Sequence, residues 1–210
     1  MILHLDENII LENEFVLLRS LQLNDFENLL SFSLNEPNIW HYSLVTADGE
    51  NNLKNYIKLA IEGRESKKEF PFIVYDKLKK AYAGSTRFYD INFNFKTTQL
   101  GYTWYGKEFQ NTWVNKNCKY LLLEFAFEKL HFERVEFRAD NLNSKSIAAM
   151  NSIGCKVEGV LRSNMPTRNE NVRRDSIVLS ILKDEWFNSV KLHLQYKRVN
   201  IILNIILIIS

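Results

Sequence analysis

The segment Lys116 to Leu130 constrains the fold most. Its polar residues form only a narrow strip near Asn117, Glu124 and Glu128. A helix that is apolar around most of its circumference must be covered on more than one side. The flanking segments can supply that cover. Phe70 to Tyr75, Tyr82 to Ile91 and Thr97 to Tyr105 read as an antiparallel meander of strands. Glu133 to Ala139 reads as a strand whose Val135, Phe137 and Ala139 share one face. A helix that separates two strands of one sheet makes a crossover, so the sheet is mixed.

The rest of the chain fits around this unit. A strand covers Asn13 to Arg19. Asn24 or Asp25 can cap a short helix with the apolar stripe Phe26, Leu29, Leu30 and Phe32. A second helix spans Asp48 to Glu65, where Leu53, Tyr56, Ile57, Ala60 and Ile61 make one face. After the crossover, Ser144 to Ile153 reads as a helix closed by Gly154. Lys156 to Leu161 and Arg174 to Leu182 are the last strands. The predicted order is β-α-α-β-β-β-α-β-α-β-β. That is an α/β (α+β) fold with a mostly antiparallel twisted sheet and helices on both faces. One domain covers 10–190, and an apolar tail of unknown role covers 191–210.

Charge and cysteine usage narrow the function. A net charge of +2 over 210 residues is too mild for nucleic-acid binding by bulk electrostatics. The four histidines and the two cysteines, Cys118 and Cys155, form no zinc pattern, so no metal site is expected. Two unpaired cysteines and the lack of a leader-like segment suggest a reducing, cytoplasmic setting. The run from Val199 to Ile209 is apolar but short of the roughly 20 residues a membrane-spanning helix needs. It reads as an interfacial anchor behind Lys197 and Arg198, a strand-like tail on a neighbour, or a loose end. A homodimer stays open.

Signatures of nucleophile-elbow hydrolases, phosphate-binding loops and dinucleotide folds are missing from the chain. One anion site is suggested. The strand through Gly101 to Tyr105 runs through the loop Gly106 to Val114 into the helix start at Asn115. First-turn N–H groups there lack helical partners, and the dipole favours negative charge. Lys116 and Lys119 oppose that dipole, so they read either as phosphate partners or as two solvated surface lysines. Cys118 and Cys155 read as small buried hydrophobes rather than nucleophiles.

The stretch from Leu100 to Trp186 resembles the GCN5-related N-acetyltransferases, especially those that acetylate ribosomal-protein alanine N-termini. The matching pieces occur in order: L-G-Y-T-W, T-W-V-N-K-N-C-K-Y-L-L-L-E-F-A-F, R-V-E-F-R-A-D-N-L-N-S-K-S-I-A-A-M-N-S-I-G, E-G-V-L-R and R-D-S-I-V-L-S-I-L-K-D-E-W. Leu11 to Tyr75 is similar in element order and around Trp40–Tyr42.

The resemblance implies acetyl-coenzyme A as donor and a primary amine as acceptor, either a small molecule or a peptide N-terminus. It implies that the donor's pantetheine arm pairs with backbone near Trp104 and Tyr105. It places the pyrophosphate on Gln110, Asn111, Thr112, Trp113, Val114, Asn115 and Lys116, and puts Asn143 and Ser146 beside the arm. Tyr102 and Ser146 are the candidate catalytic residues. Trp40, Tyr42 and Tyr102 are candidates for the acceptor pocket, the two tryptophans Trp40 and Trp104 reading also as plain core. Two departures stand out. The family's loop motif carries two glycines where this chain has Trp113 and Asn115. Gln99 stands where relatives often carry Glu before L-G-Y, so a carboxylate base is lacking there. These departures keep open a non-catalytic protein of the same fold that binds coenzyme A.

Overall fold

The computed structural model describes residues 9–168 and 171–197. They form one eight-stranded sheet in the order β1-β2-β3-β4-β5-β6-β8-β7. The strands are β1 (Ile10–Glu12), β2 (Val16–Ser20), β3 (Phe70–Asp76), β4 (Ala81–Asn92), β5 (Thr97–Tyr105), β6 (Arg134–Asp140), β7 (Lys156–Pro166) and β8 (Arg173–Leu182). Only the β5–β6 pairing is parallel. It lies where the central helix imposes the crossover.

The helices α1 (Phe26–Asn35) and α2 (Glu50–Glu65) cover one face. Their Leu29, Leu53, Tyr56, Ile57 and Ala60 pack with Ile73 of β3 and Trp104 of β5. The crossover helix α3 (Trp113–Glu124) covers the other face and continues as a π-helical turn through Phe125–Lys129. Its Val114, Cys118, Leu122, Leu123 and Phe127 meet Phe72, Phe88, Leu100, Val135 and Phe137. The helix α4 (Ser144–Ser152) joins that side through Met150.

Two elements exceed the sequence reading. The side chain of Asn13 accepts bonds from the N–H groups of Phe15 and Val16, so it makes a turn, and a short extra strand β1 precedes it. After β8, a helix starts as α5 (Lys183–Glu185), passes through a π-helical Trp186–Val190 and runs on through 191–197. Trp186, Val190 and Leu194 recur every four residues and are all buried in the α3-side core. The domain edge expected at residue 190 therefore falls inside a helix. Gln195 donates to the Tyr120 hydroxyl at 3.1 Å and the Lys197 ammonium to the Ser152 carbonyl at 2.7 Å. The apolar run Val199 to Ile209 lies outside the described residues. Among the described residues, no helix is long and apolar enough to cross a membrane.

Candidate active site

The site begins with a failure of strand pairing. β5 and β6 are laddered only at Thr97–Gln99 against Arg134–Glu136. Beyond that, β5 stays with β4 as far as Tyr105 opposite Gly84, while β6 stays with β8 as far as Asp140 opposite Ser176. The two strands part, and the β6 side of residues 100–105 has no strand partner among the described residues. Peptide groups left this way need another partner.

Local strain fixes the shape of that edge. The β4–β5 register shifts between Ser85 and Arg87, and across from it Tyr102 has φ +48°. Positive φ in an aromatic residue is rare and marks a bulge that re-aims side chains. Gly84 makes the bulge fit, because a Cβ there would meet the Trp104 carbonyl oxygen at 2.1 Å. The result sends neighbouring side chains to opposite faces. Tyr102 packs over the Arg87 guanidinium at 4.2 Å, whereas Thr103 accepts from Lys119 of α3 at 3.0 Å.

On the α3 side, the loop after β5 leads to the helix start. Thr112 caps α3, its hydroxyl accepting from the Val114 N–H at 3.3 Å and donating to the Phe109 carbonyl at 2.7 Å. The Gln110 amide donates to the Tyr105 carbonyl at 2.9 Å and so ties the loop to the strand end. Asn111 turns the chain at φ +59°. No acidic residue occupies the first turn of α3. Lys116 lies close enough to Lys197 to depress its pKa, after the larger effect of burial. A helix start without an acidic residue, with Lys116 in its first turns, suits a phosphate.

Lys119 is not a solvated surface lysine, because it is 5 % exposed and reaches inward to Thr103. Asn143 caps α4 by accepting from the Ser146 N–H at 3.1 Å, so both residues stand at that helix start just beyond β6. The thiols are buried, and burial pushes Cys118 and Cys155 up to about 12. Thiols held this strongly protonated are poor nucleophiles. Tyr105 turns its ring into the α3-side core.

The opposite face carries a different chemistry. Arg87 is 3 % exposed, bonds Glu69 at 2.7 Å and lies against the rings of Tyr56 and Tyr102. Burial raises the Tyr102 pKa, and Arg87 offsets part of that rise. Gln99 donates to Asp90 at 2.9 Å. Directly across the ladder from Gln99 stands Glu136, held by Arg134 at 2.8 Å and Arg138 at 2.7 Å. The period-2 alternation of β6 pointed Glu136 and Arg138 away from the core, but nothing marked them as neighbours of Gln99.

Two loops meet over this face. Arg168, in the β7–β8 connection, pairs with Asp48 before α2 at 2.8 Å, and Arg174 donates to the Tyr42 carbonyl at 3.4 Å. Tyr42 is 38 % exposed. Trp40 and Trp104 instead pack edge to face in the core at 4.9 Å, both nearly fully buried.

The split mixed sheet thus has a free strand edge and an anion-receptive helix start on one side and a polar surface on the other. The chain matches the family model described as an acetyltransferase (GNAT) domain over residues 16–156. It is 25% identical to the uncharacterized N-acetyltransferase p20 of Bacillus licheniformis, across 84% of this chain and 97% of that one. A GCN5-related N-acetyltransferase from Brucella melitensis superposes with a TM-score of 0.82 at 22% identity, covering 90% of this chain and 85% of that one. The ribosomal-protein-S5-alanine acetyltransferase from Vibrio fischeri superposes at 0.69 with 18% identity, covering 85% and 98%. The chain belongs to the GNAT acetyltransferase family and is an acyltransferase.

Proposed function

We propose that this protein moves an acetyl group from acetyl-coenzyme A directly to a primary amine. The parting of β5 and β6 over the start of α3 carries the reading. The donor's arm runs along the open edge of β5 and bonds backbone at Trp104 and Tyr105. Its pyrophosphate rests on the N–H groups of residues 111–116, with Asn143 and Ser146 flanking the arm. A β5 backbone N–H polarises the thioester carbonyl.

The acceptor nitrogen approaches from the Tyr102 face and forms the new C–N bond. The C–S bond breaks, coenzyme A leaves as the thiolate, and the proton given up by the nitrogen goes to that sulfur, releasing the free thiol. The thioester is already activated, so the protein's contribution is orientation and polarisation. Buried, protonated Cys118 and Cys155 support direct transfer over an acetyl-cysteine route. Two free thiols suit a cytoplasmic setting.

The loops joined by Arg168–Asp48 select the acceptor. The likeness to an enzyme of ribosomal-protein alanine supports a peptide N-terminus, and a small amine is the other class. Gln99, and Trp113 and Asn115 in place of the two motif glycines, favour one second reading, a coenzyme A-binding protein without turnover. Calorimetric titration with acetyl-coenzyme A, followed by thiol release against amines and peptides of varied N-terminus, separates them. Binding with release supports transfer. Binding without release on any acceptor supports the second reading, and no binding rejects both.

A further inference from the structure

Lys119 is a buried cation that the acetyl-transfer scheme above does not use. Its helix would keep a solvent-facing lysine at little cost, yet the side chain runs inward between β5 and β6. The ammonium donates to Thr103 Oγ1 at 3.0 Å on β5 and lies 5.6 Å from the ring centre of Phe137 on β6. Phe137 directly follows the end of the β5–β6 ladder and Thr103 lies four residues beyond it, so Lys119 bridges the two strands where they part. Thr103 is itself engaged, 2.7 Å from the Thr86 hydroxyl.

The surroundings do not neutralise this charge. An ammonium has three donors and one of them is bonded here. β5 offers it Thr103 and β6 offers Phe137; among the described residues, the ionisable groups that act on it are the thiols of Cys118, on its own helix, and Cys155, after α4. Both thiols are held protonated by burial. No carboxylate acts on it among the described residues. Burial therefore lowers its pKa to about 8. A half-satisfied buried cation is costly unless something in the split supplies acceptor oxygens.

We propose that Lys119 is a donor-binding residue whose ammonium bonds an amide carbonyl of the pantetheine arm in the split, so that donor binding takes up a proton. This rests on the donor placement proposed above. The sign follows from linkage. A carbonyl acceptor stabilises the charged form, so the bound complex holds the proton to higher pH than the free protein does. Affinity is greatest below the free pKa and falls as pH rises through about 8 toward the bound value. A rise of about one unit on binding corresponds to a tenfold loss of affinity.

The test is calorimetry of the full chain with acetyl-coenzyme A, which has no thiol to titrate. Titrations run from pH 7 to 10 in buffers of different ionisation enthalpy. We expect net proton uptake near pH 8 and about a tenfold weakening across the range. Adenosine 3′,5′-bisphosphate, which lacks the arm, should show neither effect. Lys119→Met should bind acetyl-coenzyme A about tenfold more weakly at pH 7 and lose the slope, yet bind the bisphosphate as the parent does. Lys119→Arg should recover affinity without the slope. The parent's proton uptake alone keeps the proposal testable if a variant fails to fold. Absence of uptake by the parent, or a Lys119→Met variant that keeps the slope, would overturn the role of Lys119 while leaving the donor site standing. A parent that binds neither ligand would overturn the donor placement itself.

Discussion

Tyr102 and Thr103 are adjacent, yet they face the two proposed sides of the site, which are built in different ways. Thr103 faces α3 and Lys119 on the donor side. Tyr102 faces Arg87 and Tyr89 of β4, and its carbonyl accepts from the Tyr56 hydroxyl. The donor side comes from one nearly continuous stretch, β5 through the first turns of α3, and uses mostly backbone groups. The acceptor side gathers side chains from the loop at Tyr42, from α2, from β4 and β5, and from the β7–β8 connection, brought together by pairs as remote as Arg168 and Asp48. A backbone site tolerates side-chain change as long as the strand and helix persist. A side-chain site changes with every substitution, which separates a shared donor from a variable acceptor.

The largest expected effect tests the frame beneath both sides. Leu194→Ala empties a buried position of the C-terminal helix packed behind α3. We expect a loss of about 2–5 kcal/mol, read as a lower midpoint in urea unfolding. An unchanged midpoint would mean that the helix through 191–197 does not complete the core.

Val114→Pro should separate the two sides next. It removes the N–H that the Thr112 hydroxyl caps, near the helix start where proline is tolerated, and so unsettles the anion-receptive turn. Acetyl-coenzyme A should bind about tenfold more weakly, the scale of one lost cap. Acceptor KM measured at saturating donor should hold. Equal damage to both would show that the sides are not independent.

The mirror experiment is Asp48→Ala, which breaks the ion pair between the two acceptor-side loops. A half-exposed pair of this kind contributes less than about 1 kcal/mol to stability. Acceptor KM should rise severalfold and donor affinity should stay unchanged. Smallest of all, Cys118→Ala and Cys155→Ala should each keep the transfer rate within about threefold, because the scheme gives neither thiol a chemical step. Intact-mass measurement during turnover should find no acetyl-cysteine.

The contrast also explains what the sequence disclosed. The mixed sheet was legible because one helix, apolar almost all round, had to lie between strands of the same sheet. The donor loop was legible because strand, loop and helix start are consecutive. Lys119 was not, since a lysine in the second turn of a helix gives no sign that it turns inward. Its inward course depends on the parting of β5 and β6, a tertiary event. Glu136 was missed for a related reason: alternation gave its face, but only the parallel register sets it beside Gln99. The C-terminal helix did leave a signal, in the fourfold spacing of Trp186, Val190 and Leu194, which the apolar run after it obscured.

Amide hydrogen exchange of the full chain, with and without acetyl-coenzyme A, tests the central claim most directly. The account predicts new protection confined to two segments, Leu100–Tyr105 along the open edge of β5 and Asn111–Lys116 at the start of α3, with the acceptor-side loops around Tyr42 and Arg168 unchanged. Protection concentrated at those loops, with none along the β5 edge, would contradict it.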